Sequence, residues 1–204
     1  MQLLESEGIP YFAHHYLLDD MDYSFRKANM EDLPKIWEIL EGAIQRRKQD
    51  GSNQWQDGYP NPTVIRNDID QGVGYVLSGG EVITAYCALL INDEPAYATI
   101  EGRWLTDGDF VVYHRVAVSE KYLGRGLAQQ LLKHVEEFAL QHHIHSVRAD
   151  TNFDNPGMLR LFEKLGYQYC GEVTFRGMPR KAFEKVLTDP ASDIASAPPV
   201  ADRR

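Results

Sequence analysis

Residues Val116 to Ala128 read Val-Ala-Val-Ser-Glu-Lys-Tyr-Leu-Gly-Arg-Gly-Leu-Ala, and an amphipathic run from Gln129 to Gln141 comes directly after them. A β-type apolar segment enters a glycine turn, and the turn opens into a helix. The two glycines, Gly124 and Gly126, let backbone approach an anion with no Cβ in the way. Free N–H groups of the first helical turn, at Leu127 and Ala128, then point at the ligand, and the helix dipole adds partial positive charge. Lys121 and Arg125 bring full charges to the same place, and Leu123 borders the glycines. The chemistry this arrangement suits is the grip of a diphosphate.

Three phosphate-loop patterns compete for it. The nucleotide loop G-x-x-x-x-G-K-[ST] has no match. The dinucleotide pattern G-x-G-x-x-G fits at Gly124-Arg125-Gly126 but meets Gln129 where a small residue must let helix and strand pack closely. The third pattern is Arg/Gln-x-x-Gly-x-Gly/Ala, offered as Lys121-Tyr122-Leu123-Gly124-Arg125-Gly126. That stretch resembles the acetyl-CoA pyrophosphate loop of the GNAT superfamily of N-acetyltransferases. A plain strand-to-helix turn without a ligand is the alternative.

A second segment, Asp150 to Tyr167, resembles the family's N-x-x-[small/apolar]-x-x-[L/F]-Y-x-x-x-G-[F/Y] pattern. It stands one strand after the phosphate-loop helix. The resemblance implies that Asn155 bonds the pantetheine arm or an ordered water; Asn155 also suits a helix N-cap. Two positions depart from the pattern. Phe162 stands where the family carries a tyrosine that protonates the leaving thiolate. Its ring is expected to pack by the cofactor, but it has no proton to give. Tyr167 is a nearby candidate acid, at a position that is usually structural. Lys121 replaces the usual Arg or Gln and still attracts phosphate as a point charge.

The implied reaction needs a neutral amine, although alkyl ammonium groups have pKa values of about 10, so a base must take a proton. It also needs a donor for the developing oxyanion. By resemblance, the backbone of Val116, Ala117 and Val118 supplies that donor and pairs with the pantetheine like an added strand. His114 lies two residues before Val116, so alternation predicts a shared face. Imidazole, with an unperturbed pKa of about 6.5, suits a base. Arylalkylamine N-acetyltransferases of this superfamily carry a histidine at the matching place. A structural histidine beside Arg115 is the competing account. Glu101 is a second candidate base, or a solvated charge. Trp55, Asp57 and Tyr59 lie between the first two helices, a region that commonly walls the acceptor pocket in the family. Trp55 and Tyr59 suit an aromatic wall and Asp57 suits an ammonium group; aromatics that anchor a loop are the alternative. His142, His143 and His145 read as surface histidines at a helix end, and no metal site is expected.

The elements that must position these residues follow from periodicity. Strands are expected over Tyr23–Ala28, Gly74–Ser78, Val82–Ile91, Phe110–Val118, Ser146–Asp150, Tyr167–Thr174 and Arg180–Val186. Helices are expected after Asn29, from Pro62 to Asp70, from Gln129 to Gln141 and from Pro156 to Leu165. The order β-α-α-β-β-β-α-β-α-β-β mixes hairpins with helical crossovers. It predicts an α/β protein with a mixed central sheet of about six or seven strands flanked by about four helices, in agreement with the GNAT fold. The domain is expected over 23–187, after an N-terminal extension at 1–22 and before a tail at 188–204 whose Ala, Ser, Pro and Asp content predicts disorder.

At 204 residues, with 43% hydrophobic and 25% charged residues, the chain suits one globular domain. A formal net charge of −9 argues against a nucleic-acid partner. The two cysteines, Cys87 and Cys170, make no disulfide framework. No apolar run long enough for a membrane span and no secretory leader pattern occur, so a soluble cytoplasmic protein is expected. The resulting reading is an acetyl-CoA-dependent N-acetyltransferase that acts by direct transfer to a primary amine in a ternary complex. A small-molecule amine is the expected acceptor and a protein substrate is the other, with homodimers common in the family. The rivals are a non-catalytic acyl-CoA-binding sensor of the same fold, which Phe162 keeps in play, and a transferase for longer acyl chains.

Overall fold

The computed structural model describes residues 22–188, so all but one residue of the expected extension and all but one of the expected tail lie outside the described residues. One mixed sheet carries eight strands: β1 (Tyr23–Lys27), β2 (Gly74–Gly79), β3 (Val82–Ile91), β4 (Glu101–Gly102), β5 (Val111–Val118), β6 (Ser146–Thr151), β7 (Gln168–Phe175) and β8 (Met178–Val186). Their order is β1-β2-β3-β5-β6-β8-β7-β4. The helices are α1 (Leu33–Gln49), α2 (Pro62–Asp70), α3 (Leu127–Gln141) and α4 (Pro156–Leu165).

The eighth strand, β4, exceeds the expected count. Two residues are too few to show alternation, so no sequence pattern announces it. Packing defines it instead: Gly102 pairs with Gly171 of β7. A Cβ on Gly102 would stand 2.2 Å from the Cys170 carbonyl oxygen, and one on Gly171 would stand 2.3 Å from the Glu101 carbonyl oxygen. Only glycine allows that approach. The start of α1 also differs. Asn29 does not cap it; its side chain accepts N–H bonds from Glu31 and Asp32 in a preceding turn, while Asp32 pairs with Arg26 at 2.7 Å.

Each face of the sheet buries helix. Leu131, Leu132, Val135 and Ala139 of α3 pack with Val111, Tyr113 and Val118 of β5 and with Phe162 and Leu165 of α4. Ile36, Ile39 and Leu40 of α1 and Ile65 of α2 pack on Val76, Tyr86 and Ala117 from the other side. Full burial of one such Leu or Ile contributes about 1.5–3 kcal/mol.

Two irregularities in β5 set the direction of its side chains and open its edge. Its parallel pairing with β6 covers only Val111 with Val147 and Val112 with Arg148. Beyond Val112 the β6-facing edge of β5 has no strand partner and the two strands separate. Its pairing with β3 also shifts: Tyr86 and Ala88 face Ala117 and His114, so β5 carries one extra residue. Arg115, with φ 56°, absorbs the bulge. Tyr113 and Val116 consequently both pack on the α3–α4 side. His114 packs against Glu94 and Phe175 instead, so the two side chains do not share the packing that alternation predicted, although both border one narrow cavity.

Candidate active site

The glycine loop forms as a strand-to-helix junction. After β5 a short 3-10 turn over Glu120–Tyr122 leads to Leu123, and Tyr122 is buried beneath it. Gly124 and Gly126 take left-handed φ values of 76° and 77°. A Cβ at either would meet nothing within 4 Å and would stand in open cleft. Gly126 is the N-cap of α3 and has no side chain with which to cap it. The first bond into the helix runs from the Gln130 N–H to the Gly126 carbonyl at 3.0 Å. The N–H groups of Leu127, Ala128 and Gln129 make no hydrogen bond among the described residues. Arg125 lies over the Tyr122 ring at 5.5 Å, and Lys121 is exposed nearby.

A continuous groove starts there. A cavity of about 420 Å³ runs between the loop and the Gly157–Lys164 face of α4. It shares Val118, Leu123, Ala128 and Leu161 with a second cavity of about 640 Å³, which reaches Val116, Ala117 and Asn155. Arg46, Arg47 and Arg160 line this stretch. Arg46 Nη2 donates to the Val118 carbonyl at 3.1 Å, while its buried Nη1 makes no hydrogen bond within the described residues. A third, narrow cavity of about 50 Å³ continues past Trp55, Val116, Asn155 and Met158 to His114.

Asn155 Oδ1 accepts the Met158 N–H at 3.2 Å, so the residue caps α4. Its Nδ2 donates to the buried Gln54 at 3.1 Å, which ties the α1–α2 loop to the groove. At the far end, His114 Nε2 lies 3.1 Å from Glu94 Oε2, and both side chains are only 10% exposed. Burial pushes the Glu94 carboxyl up. The His114 hydrogen bond and charge outweigh it and hold the group below the usual carboxylate range. Phe175 stacks on the imidazole at 6.2 Å.

Arg115 is spent on structure. Its Nε and Nη2 donate to Asp68 at 2.9 and 2.7 Å, and its Nη1 donates to the Tyr59 hydroxyl. Asp68 also accepts the Tyr86 hydroxyl at 2.6 Å, and burial drives that phenol far above its ordinary value. Asp150, at the end of β6, takes Arg180 at 2.7 Å and the Tyr97 hydroxyl at 2.8 Å.

Of the residues singled out from sequence, Trp55, Tyr59, His114 and Val116 meet around the narrow cavity, with Asn155 beside them. Asp57 stands at the exposed rim and pairs with Arg176 at 3.1 Å. Glu101 is exposed on β4 and does not line the groove. Tyr167 is buried under α4, where burial raises its phenol strongly. Phe162 is fully buried, with its ring 5.3 Å from Tyr167 and 4.7 Å from Phe183. It lines none of the three cavities, because α4 turns Gly157, Arg160, Leu161 and Lys164 toward the groove instead. The expected place of Phe162 beside the cofactor is corrected accordingly. Sequence reasoning missed Glu94, Asp150, Phe175 and Arg180. Glu94 comes after Asp93 and precedes Pro95, and that pattern signals a turn and nothing more.

The groove fits an extended diphosphate ligand. Unbonded helix-start N–H groups, an open left-handed glycine pair and several cations meet at one end. Among the described residues, no cluster of three His, Cys, Asp or Glu side chains is placed to hold a metal ion. No helix there is long and apolar enough to cross a membrane.

The family model described as Acetyltransferase (GNAT) family matches residues 30–167, and the chain belongs to that family. A GNAT-family acetyltransferase structure from Streptococcus agalactiae is 36% identical, with a TM-score of 0.76 over 82% of this chain and 96% of that one. The Bacillus subtilis protein named uncharacterized N-acetyltransferase YesJ is 26% identical over 145 residues, 69% of this chain and 79% of its own. The NatC complex, solved with Gag peptide and CoA, shares the fold at 14% identity and a TM-score of 0.58, over 82% of this chain and all of that chain.

Proposed function

We propose that this chain is a cytoplasmic N-acetyltransferase that moves an acetyl group from acetyl-CoA directly to a small primary amine. The continuous groove from the free N–H groups of α3 to the His114 imidazole carries this reading. Acetyl-CoA supplies an acetyl thioester, which an amine attacks with loss of the CoA thiol. Gly124 to Ala128 hold the diphosphate with Lys121 and Arg125 beside them. The unpaired edge of β5 at Val116 to Val118 and the Asn155 region border the arm that runs on from it. His114 takes the proton that an alkyl ammonium acceptor must lose. The narrow cavity beside it favours a small acceptor over a protein segment. Cys87 and Cys170 are buried outside the groove lining, in keeping with transfer without a covalent enzyme intermediate.

A second reading is a protein that binds acyl-CoA without transfer: Phe162 has no proton to give and, like the buried Tyr167, does not border the groove, so neither supplies an acid there. Thiol release from acetyl-CoA against a broad amine panel separates the two. Turnover with any amine supports the enzyme. Tight acetyl-CoA binding with no turnover on any member of the panel would leave the sensor.

A further inference from the structure

We propose that Glu94 is a positioning residue for His114, holding the imidazole so that Nδ1 faces the acceptor cavity and receives a proton from an acceptor bound as an alkyl ammonium. The inference rests on the acetyltransferase reading and adds a residue and an acceptor charge state to it.

A carboxylate only accepts hydrogen bonds. Glu94 Oε2 lies 3.1 Å from Nε2, at ion-pair distance, and in the proposal this contact keeps the proton of the neutral ring on Nε2 and the lone pair on Nδ1. The ring borders the cavity of about 50 Å³, and Nδ1 makes no hydrogen bond among the described residues. The other carboxylate oxygen, Oε1, accepts the Ala96 N–H at 3.1 Å, at the start of the 3-10 turn Pro95–Thr99. Both oxygens of Glu94 are therefore held, and Phe175 limits the ring from its face.

The charges around the imidazole point the same way. From β6, Asp150 is matched by Arg180 of β8. From α2, Asp68 is matched by Arg115. At the rim, Asp57 is matched by Arg176. Glu94 has no Lys or Arg at ion-pair distance, though Arg180 attracts it from further off. Tyr59 and Tyr113 also line the cavity, and Tyr97 lies close to Glu94, its N–H bonded to the Glu94 carbonyl at 3.0 Å. One unmatched negative charge remains, and an ammonium complements it. In the proton step an N–H bond of the ammonium breaks, its electron pair stays on the amine nitrogen, and a bond forms from the proton to Nδ1. The imidazolium keeps its Nε2–H on Glu94, which stays anionic and offsets the new charge. The proton leaves to solvent afterwards.

The test compares the wild-type chain with Glu94→Gln and Glu94→Asp, by nitrogen NMR of the His114 ring and by pH profiles of kcat and kcat/KM. The wild-type neutral ring is expected in the Nε2–H form. Glu94→Gln is expected to move the neutral ring toward the Nδ1–H form, since the carboxylate that holds the Nε2 proton is lost. The rate should change with it, and kcat at pH 7 should fall roughly tenfold or more. Glu94→Asp should restore part of both. An unchanged ring tautomer in Glu94→Gln overturns the proposal. A ring that shifts while the rate profile stays put also overturns it, and leaves the acetyltransferase reading standing. Absence of turnover in the wild type removes that reading instead, and the ring's tautomer then decides whether Glu94 holds it.

Discussion

In the proposed reaction His114 takes the proton and the glycine pair holds the diphosphate, and each admits a sharp perturbation. His114→Ala removes the proton acceptor. The expected result is a loss of kcat/KM of roughly 100-fold at neutral pH, with partial recovery at high pH, where more of the amine is neutral without help. A pH profile of the variant equal to wild type would reject His114 as the base. Gly126→Glu places a carboxylate in the diphosphate cradle and forces a left-handed φ on a residue with a Cβ. Titration calorimetry should then detect no acetyl-CoA binding, while the far-UV circular dichroism stays native. The loop was readable from sequence because its chemistry is local: two glycines, a cation on either side and a helix start are near neighbours along the chain. Glu94 was not readable, because its partner His114 lies on another element and the contact depends on how the turn after β3 folds back.

At the scale of elements, β8 carries a buried acid that anchors a loop. Glu184 is fully buried and accepts the Leu105 N–H at 2.6 Å, the Ser146 hydroxyl at 2.6 Å and the Thr106 hydroxyl at 2.5 Å, with Arg148 Nε at 3.5 Å. Arg148 lies over the Trp104 and Phe110 rings and also bonds the Thr106 carbonyl. Glu184→Ala leaves the Ser146 and Thr106 hydroxyls and the Leu105 N–H without their acceptor and Arg148 without its counter-charge. Breaking a buried pair from one side costs about 3–5 kcal/mol, and urea unfolding should read a loss of that size. The helices and hairpins were legible because apolar spacing and capping residues mark them. The two-residue β4 and the bulge at Arg115 were not, because each is set by what lies across the sheet.

For the whole molecule, acid should act through carboxyls held low in the fold. The Arg26 hydrogen bond holds Asp32 down. Burial pushes Glu184 up, but its bonds from Ser146, Thr106 and Leu105 outweigh that and hold it below its usual value. A carboxyl whose folded pKa lies under the unfolded one adds stability above the unfolded pKa, and that stability is lost as pH falls through the folded value. Stability to urea is therefore expected to be level in this respect at neutral pH and to drop below about pH 4. A midpoint that stays constant from pH 7 to pH 3 would contradict the assignment.

The sequence by itself determined the glycine loop, the segment around Asn155, the order of elements and, through them, the family. These are contiguous patterns, and their physics lies in backbone conformation and helix periodicity within a few residues. Only the tertiary structure decided which way His114 faces, that Glu94 meets it, that Phe162 belongs to the core, and that the loop and the imidazole lie on one groove. Those facts depend on strand register, on one left-handed residue in β5 and on the separation of β5 from β6, which are balances between elements distant along the chain.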